Sequence, residues 1–206
     1  MNTFLLVDDH QIVRKGISML IAGFPGEYKI NEAATCKEML ESLRAEPADY
    51  IVLDLSLADG SSFSMVQNIK VEFPQSAILI YSMNAEKIYA KRLLQKGVSG
   101  FVSKQASIDE LEKAIKCMLR AEVYISPALA QEMSSKDNDL NPIDLLSDRE
   151  LEVVEYLIAG LGAKEISNKM DVGITTISTF RARAYEKFGV DNIIELKEKF
   201  FLCKDV

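Results

Sequence analysis

The sequence predicts an α/β doubly wound parallel five-stranded sheet followed by a small all-α domain, and three observations carry that expectation. Five short β-like runs alternate with helix-like stretches up to Arg120, the alternation that builds a doubly wound fold. The middle runs are apolar enough for burial on both faces, as parallel strands require. After Arg120 the alternation stops and only helical patterns follow. Parallel strands also put their C-terminal ends on one sheet edge, where ligands bind.

The strand-like runs are TFLLV (3–7), YKINEA (28–33), YIVLDL (50–55), AILIYS (77–82) and GFVS (100–103). Between and after them lie QIVRKGISMLIAGF, CKEMLESLRAE, SFSMVQNIKVEF, AEKIYAKRLLQKG and IDELEKAIKCMLR, with apolar residues three and four apart. The segment YISPALAQEM has the pattern of one short helix, and SSKDNDLNPID is polar and helix-breaking, so residues 122–142 are expected to link the first domain (1–121) to a second (143–206). In the second, LSDRELEVVEYLIAG opens with Ser147 and carries Glu150 three residues on, a capping box ahead of an amphipathic run, and Gly160 supplies a stop. AKEISNKM, ITTISTFRARAYEKF and NIIELKEKFF read as three further helices.

Composition narrows the chemistry. A hydrophobic fraction of 48% with 27% charged residues describes an ordinary globular chain of 206 residues. The N-terminus meets paired acids after a few apolar residues, and no apolar run approaches the roughly 20 residues that span a bilayer, so a cytoplasmic protein without membrane association is expected. Three scattered cysteines, Cys36, Cys117 and Cys203, suit reduced thiols rather than a disulfide framework or a zinc site. His10 is the single histidine, which removes most hydrolase triads and His-rich metal cages.

Asp54 ends the third strand-like run, and Asp8 with Asp9 end the first. Those strands are neighbours in a doubly wound sheet, so three carboxylates converge on one edge and repel unless a cation intervenes. Oxygen-only donors favour magnesium, which keeps several waters and leaves room for a phosphoryl oxygen. Asp54 then reads as a nucleophile to be phosphorylated while the metal neutralises developing charge. Ser82 closes the fourth run and offers a hydroxyl, and Lys104, just past the fifth, a compact positive charge.

In VDDHQIVRKGI, VLDLSLADG, ILIYS and GFVSK the sequence resembles the flavodoxin-like receiver domain of bacterial two-component response regulators over about residues 1–120. The resemblance implies Asp54 as phosphoacceptor, Asp9 as a direct magnesium ligand, Asp8 as a water-mediated one, and the backbone carbonyl of Ser56 as a further ligand. It also implies that Ser82 reads the phosphoryl group, that Phe101 is an aromatic switch responding to Ser82, and that Lys104 pairs with Asp54 and then with the phosphate. Two positions depart from the family pattern: Ala58 stands where Pro is usual, and Met83 where a small residue is usual.

The helical domain has the plan of a helix-turn-helix. On its third helix Ile177, Phe180, Ala184 and Phe188 form one inward face, with Thr175, Ser178, Thr179 and Ala182 opposite and Arg183 towards the edge. Small polar residues backed by Arg suit a helix entering the major groove. Residues 122–206 hold 10 Lys and Arg against 16 Asp and Glu, an unfavourable long-range field for DNA. Within 160–190, however, Lys164, Lys169, Arg181, Arg183 and Lys187 outnumber Glu165, Asp171 and Glu186. LSDRELEVVEYLIAG, AKEIS, TISTFRARAYEKFGV and NIIELKE resemble the LuxR-type helix-turn-helix, and the two domains together resemble the NarL/FixJ group. In that resemblance Lys164, Thr175, Ser178, Thr179, Arg181 and Arg183 face DNA, and Ile194, Leu196 and Phe200 belong to a dimer helix. Departures fall at Ser178, where Lys is common, at Phe180, where His is common, and at Gly162 and Gly173, where Ser or Thr often cap.

The expectation is a transcription regulator phosphorylated on Asp54 by a sensor histidine kinase, binding double-stranded promoter DNA as a homodimer and not an enzyme beyond residual autophosphatase activity. Two alternatives compete: a receiver whose helical domain acts through protein partners, and a magnesium-dependent aspartyl-phosphate hydrolase. The hydrolase needs a second Asp two residues after the nucleophile, where this chain has Ser56.

Overall fold

Apolar runs three to six residues long become a parallel sheet here because each is flanked by a helix that covers one sheet face. The computed structural model describes residues 1–57, 59–63, 65–134 and 141–205. Ala58 and the polar stretch 135–140 lie outside the described residues. The chain divides into two compact units, Met1–Ser135 and Lys136–Val206.

The first unit runs β1 (Asn2–Val7), α1 (Gln11–Ala22), β2 (Tyr28–Ala33), α2 (Cys36–Ala45), β3 (Tyr50–Leu53), β4 (Ser56–Leu57) and β5 (Gly60–Ser61). It continues with α3 (Met65–Glu72), β6 (Ala77–Ser82), α4 (Glu86–Gln95), β7 (Gly100–Ser103), α5 (Ile108–Leu119) and α6 (Pro127–Ser134). The main sheet is parallel in the order β2-β1-β3-β6-β7, with Val7 opposite Leu53 and Ile80 opposite Phe101. Strand order reverses between β1 and β3, which makes the crevice beyond their C-terminal ends the switch point of the fold. Side chains alternate across the sheet. Phe4, Leu6, Val52, Leu79 and Val102 pack with Ile17 and Ile21 of α1 and Leu111, Ile115 and Met118 of α5 in one core layer. Leu5, Ile51, Leu53, Ile78, Ile80 and Phe101 are buried on the opposite face.

Two departures from the sequence reading have local causes. The third strand stops at Leu53 rather than at residue 55, because the chain turns after Asp54 into the two-residue antiparallel ladder β4–β5, with Ser62 donating its N–H to the Leu55 carbonyl at 2.9 Å. Residues 122–134, read as linker, instead pack on the first unit. Tyr124 bridges to Gly100 on the sheet edge, donates its N–H to Ser99 at 2.8 Å and its hydroxyl to Glu110 at 2.8 Å. A Cβ on Gly100 would come within 2.9 Å of the Tyr124 Cβ, so only glycine admits this approach. Leu129 of α6 is buried as well.

The second unit contains α7 (Pro142–Leu145), α8 (Asp148–Ile158), α9 (Ala163–Met170), α10 (Ile174–Phe188) and α11 (Ile193–Asp205). Ser147 and Glu150 close the expected capping box at the start of α8. Val153, Ile166, Met170 and Ile177 form the centre of the core. Asp171, in left-handed conformation at the end of α9, makes the turn into α10. The short helix α7 was not expected; Asn141 caps it and also donates its side-chain amide to the Cys203 carbonyl at 3.0 Å, tying the two ends of the unit together. No helix among the described residues is long and apolar enough to cross a membrane.

Candidate functional site

Four strand ends deliver the polar residues at the sheet edge: Asp8 after β1, Asp54 after β3, Ser82 at the end of β6 and Lys104 after β7. Parallel pairing sets them side by side, and the last ladder bonds extend to the residues themselves. Asp54 donates its N–H to the Val7 carbonyl at 2.9 Å, and Lys104 donates its own to the Ser82 carbonyl at 2.9 Å.

Asp8 and Asp54 are 2% and 4% exposed. The Lys104 ammonium lies 2.6 Å from Asp8 Oδ2 and 2.6 Å from Asp54 Oδ2. Burial works against its positive charge, but its hydrogen bonds to Asp54 and Asp8 outweigh that and hold its pKa above the usual lysine value. The Ser82 hydroxyl donates to Asp54 Oδ1 at 2.6 Å, and the Ser56 N–H donates to the same oxygen at 3.2 Å. Asp9 is on the rim: its Oδ1 is 2.7 Å from His10 Nδ1, and donor atoms of Asp8, Asp9 and His10 lie within 4.8 Å of one another. Phe101 is buried and paired in register with Ile80.

Two buried carboxylates share a single ammonium, which leaves local charge negative, with a third acid beside them. Their donors are all oxygen. That is the setting in which a hard divalent cation binds while keeping some of its waters, so the residues present fit magnesium.

Several neighbours had no signal in the sequence, since each acts through a loop. Ser62 donates its hydroxyl to the Asp54 carbonyl at 2.6 Å and is fully buried. Asn84 Oδ1 lies 3.0 Å from both the Ser56 and Ser82 hydroxyls, so it bridges the two sides of Asp54. Asp59 accepts the N–H groups of Cys36 and Lys37 at 2.8 and 3.1 Å, pinning the loop after Asp54 to the start of α2. Met83 is exposed.

In the second unit Lys164, Thr175, Ser178, Thr179, Arg181 and Arg183 are all exposed, while Ile177, Ala184 and Phe188 face inward and Phe180 is half-buried. Ser178 and Thr179 donate their hydroxyls to the carbonyls of Ile174 and Thr175 at 3.1 and 3.0 Å, so their outward lone pairs are free to accept. Glu150 is buried against Lys187 at 2.5 Å; burial raises its pKa, and Lys187 with the Ser147 N–H brings it below the ordinary glutamate value.

The dimer-helix residues separate. Leu196 and Phe200 are core residues, with the Phe200 ring 6.3 Å from that of Phe188, because the i, i+4 spacing puts both on the inner face of α11. Only Ile194 of the three is exposed, together with Phe201 and Leu202. An apolar groove of about 480 Å³ lies between Leu157, Ile158 and Gly160 on one side and Ile193, Ile194 and Phe201 on the other, with Lys197 and Glu198 also lining it.

Comparison with known proteins agrees with this geometry over both units. Residues 4–116 match the response regulator receiver domain, and residues 144–199 match the bacterial regulatory proteins of the luxR family. Response regulator GacA of Pseudomonas viridiflava is 28% identical over 196 residues, which cover 93% of this chain and 92% of GacA. Fimbriae Z protein of Salmonella typhimurium is 29% identical over 197 residues, at 93% and 92% coverage. Among solved structures, RcsB from Salmonella enterica serovar Typhimurium, bound to promoter P1flhDC in the presence of phosphomimetic BeF3-, is similar with a TM-score of 0.79 at 26% identity, covering 100% of this chain and 99% of that one.

Proposed function

This chain belongs to the response regulators, carrying a receiver domain over residues 4–116 and a LuxR-family regulatory domain over residues 144–199, and we propose that Asp54 is the phosphoacceptor through which a sensor histidine kinase controls its binding to promoter DNA. The family is one of DNA-binding transcription regulators rather than classical enzymes. The observation that carries the assignment is the convergence of Lys104 and Ser82 on the two oxygens of one buried carboxylate, each at 2.6 Å.

In the transfer, a carboxylate oxygen of Asp54 forms a bond to phosphorus as the bond from phosphorus to the kinase histidine nitrogen breaks, and the electron pair leaves with the imidazole. Asp8, Asp9, Asp54 and the Ser56 carbonyl would hold magnesium, which when bound neutralises charge on the phosphoryl oxygens. Lys104 then exchanges its contact with Asp54 for one with the phosphoryl group, and Ser82 turns its hydroxyl from Asp54 to a phosphoryl oxygen. Phe101, one strand away, takes up the space that Ser82 vacates. Slow autophosphatase activity is expected to accompany the phosphorylated state, since the same residues would hold the acyl phosphate during attack by water. The hydrolase alternative lacks its acid: Ser56 occupies that position and its hydroxyl is 3.0 Å from the Asn84 amide oxygen.

The receiver occupies residues 1–121 and the DNA-binding unit 143–206, joined by 122–142, of which 122–134 lie against the receiver. Exposed Lys164, Arg181 and Arg183 contact phosphates, and the hydroxyls of Thr175, Ser178 and Thr179 read the groove. Two copies pair through the face of α11 that carries Ile194. Such a regulator works in the cytoplasm. Binding-site selection with the purified protein, followed by gel shifts with and without a small-molecule phosphodonor, tests the reading. Phosphodonor tightens retention in the wild type and has no effect on Asp54→Asn, while Arg183→Ala weakens binding and reduces the slope of log K against log salt by about 1 per protomer. Failure to enrich any sequence would favour a protein partner over DNA.

A further inference from the structure

We propose that Arg14 is a positioning residue for the acid cluster: anchored on Glu32, its guanidinium fixes the peptide that joins Asp8 to Asp9 and thereby aims the Asp9 carboxylate at the divalent ion, an inference that rests on the metal-site reading above.

Arg14 lies in the first turn of α1, where the helix dipole disfavours a cation, so its placement there calls for a compensating role. Its side chain is 13% exposed and committed at both ends of the fork. Nη1 donates to the Asp8 backbone carbonyl at 2.5 Å, and Nε donates to Glu32 Oε2 at 2.8 Å. Lys15 holds the other Glu32 oxygen at 2.8 Å, so the anchor is itself fixed between two cations. Glu32 lies near the end of β2, in register with Leu6 of β1, and the Asp8 N–H is bonded to the neighbouring Ala33 carbonyl at 3.1 Å.

The two peptide groups of Asp8 are therefore held from opposite sides, one by the sheet and one by Arg14. Asp8 needs little further help, because it is buried against Lys104. Asp9 is different: its side chain is 29% exposed and its side-chain contact is with the exposed ring of His10 at 2.7 Å, so its direction depends on the path of the main chain from which both side chains project. Removing the fork frees the Asp8–Asp9 peptide to rotate and with it the outermost metal ligand. A lysine at this position would keep the charge but lose the planar, two-pronged geometry.

Charge and geometry predict opposite signs, which makes the inference testable. A guanidinium beside a divalent ion repels it, so if Arg14 mattered only as a charge its loss would tighten magnesium binding. If it positions Asp9, its loss weakens binding, and the charge-conserving Arg14→Lys weakens it too.

The experiment is calorimetric titration of the full chain with magnesium, alongside amide exchange at Asp9 and His10, thermal melting without metal, and the rate of phosphodonor labelling across magnesium concentrations. Both Arg14→Gln and Arg14→Lys are expected to raise the magnesium dissociation constant about tenfold, as loss of a group that orients a ligand does. Exchange at Asp9 and His10 speeds up, while labelling at saturating magnesium returns to within about twofold of wild type. Unchanged or tighter magnesium binding in Arg14→Lys overturns the inference. Wild-type protein that binds no magnesium at all overturns the metal-site reading itself, and this inference with it.

Discussion

Lys104 keeps its proton because two buried carboxylates need it, and that single cation is what lets Asp8 and Asp54 coexist under the sheet edge. Asp59 solves a different problem at the same edge. The first N–H groups of α2 have no partner within the helix; Asp59 takes those of Cys36 and Lys37, and the Thr35 hydroxyl takes that of Glu38. The family's rigidifying Pro is missing at position 58. Asp59, the next residue, instead ties the loop that follows Asp54 to a helix. Burial raises the Asp59 pKa, but the Cys36 and Lys37 N–H groups prevail and hold it below the ordinary 3.8. Its contribution is therefore fully present above pH ~4 and is lost as pH falls through the lowered folded value. Asp59→Ala should cost about 1 kcal/mol, the lower part of the capping range because the exposed carboxylate is screened. Urea unfolding at pH 7 and at pH 3 measures it: the wild-type advantage should shrink at the acid end, and an advantage equal at both would remove the carboxylate from the account.

At the scale of elements, α11 separates two roles that the sequence merged. Leu196 and Phe200 hold the helix to its own unit, and Ile194 stands outside. Leu196→Ala should destabilise the second unit by about 3 kcal/mol through the cavity it leaves. Ile194→Asp should leave the melting midpoint within a few degrees of wild type and weaken pairing on DNA, read as loss of the dimer band in gel shifts. If Ile194→Asp pairs normally, the exposed face of α11 is not the interface. The helices α9 and α10 were legible in the sequence to the residue, because glycine before each and apolar spacing within each fix both ends. The acid site was legible for a similar reason: Asp8, Asp54, Ser82 and Lys104 each follow directly from where a strand ends. Asn84, Ser62 and Arg14 were not, since their contacts depend on loop paths that no periodicity encodes. Tyr124 escaped as well, because its bridge depends on the bare main chain of Gly100, far off in the sequence. Leu196 and Phe200 were placed on the dimer face, although both are buried in their own unit, because apolar spacing on a terminal helix does not distinguish core from interface.

For the molecule as a whole, charge and equilibrium set the terms. A second unit with 10 Lys and Arg against 14 Asp and Glu over residues 136–206 approaches DNA through a locally basic surface, so its retention depends on a few side chains and on salt. On the proposed assignment, phosphorylation shifts binding only by the difference in how well it stabilises two states, and Ser82 and Lys104 are the residues that register it. Everything downstream therefore depends on Asp54 carrying a phosphoryl group. Intact-mass analysis after incubation with a small-molecule phosphodonor and magnesium is the most direct test, with peptide mapping to locate the modification. The protein should gain about 80 Da, mapped to Asp54 and absent without magnesium or in Asp54→Asn. The same gain in the Asp54→Asn variant, or its assignment to another residue, would contradict the account.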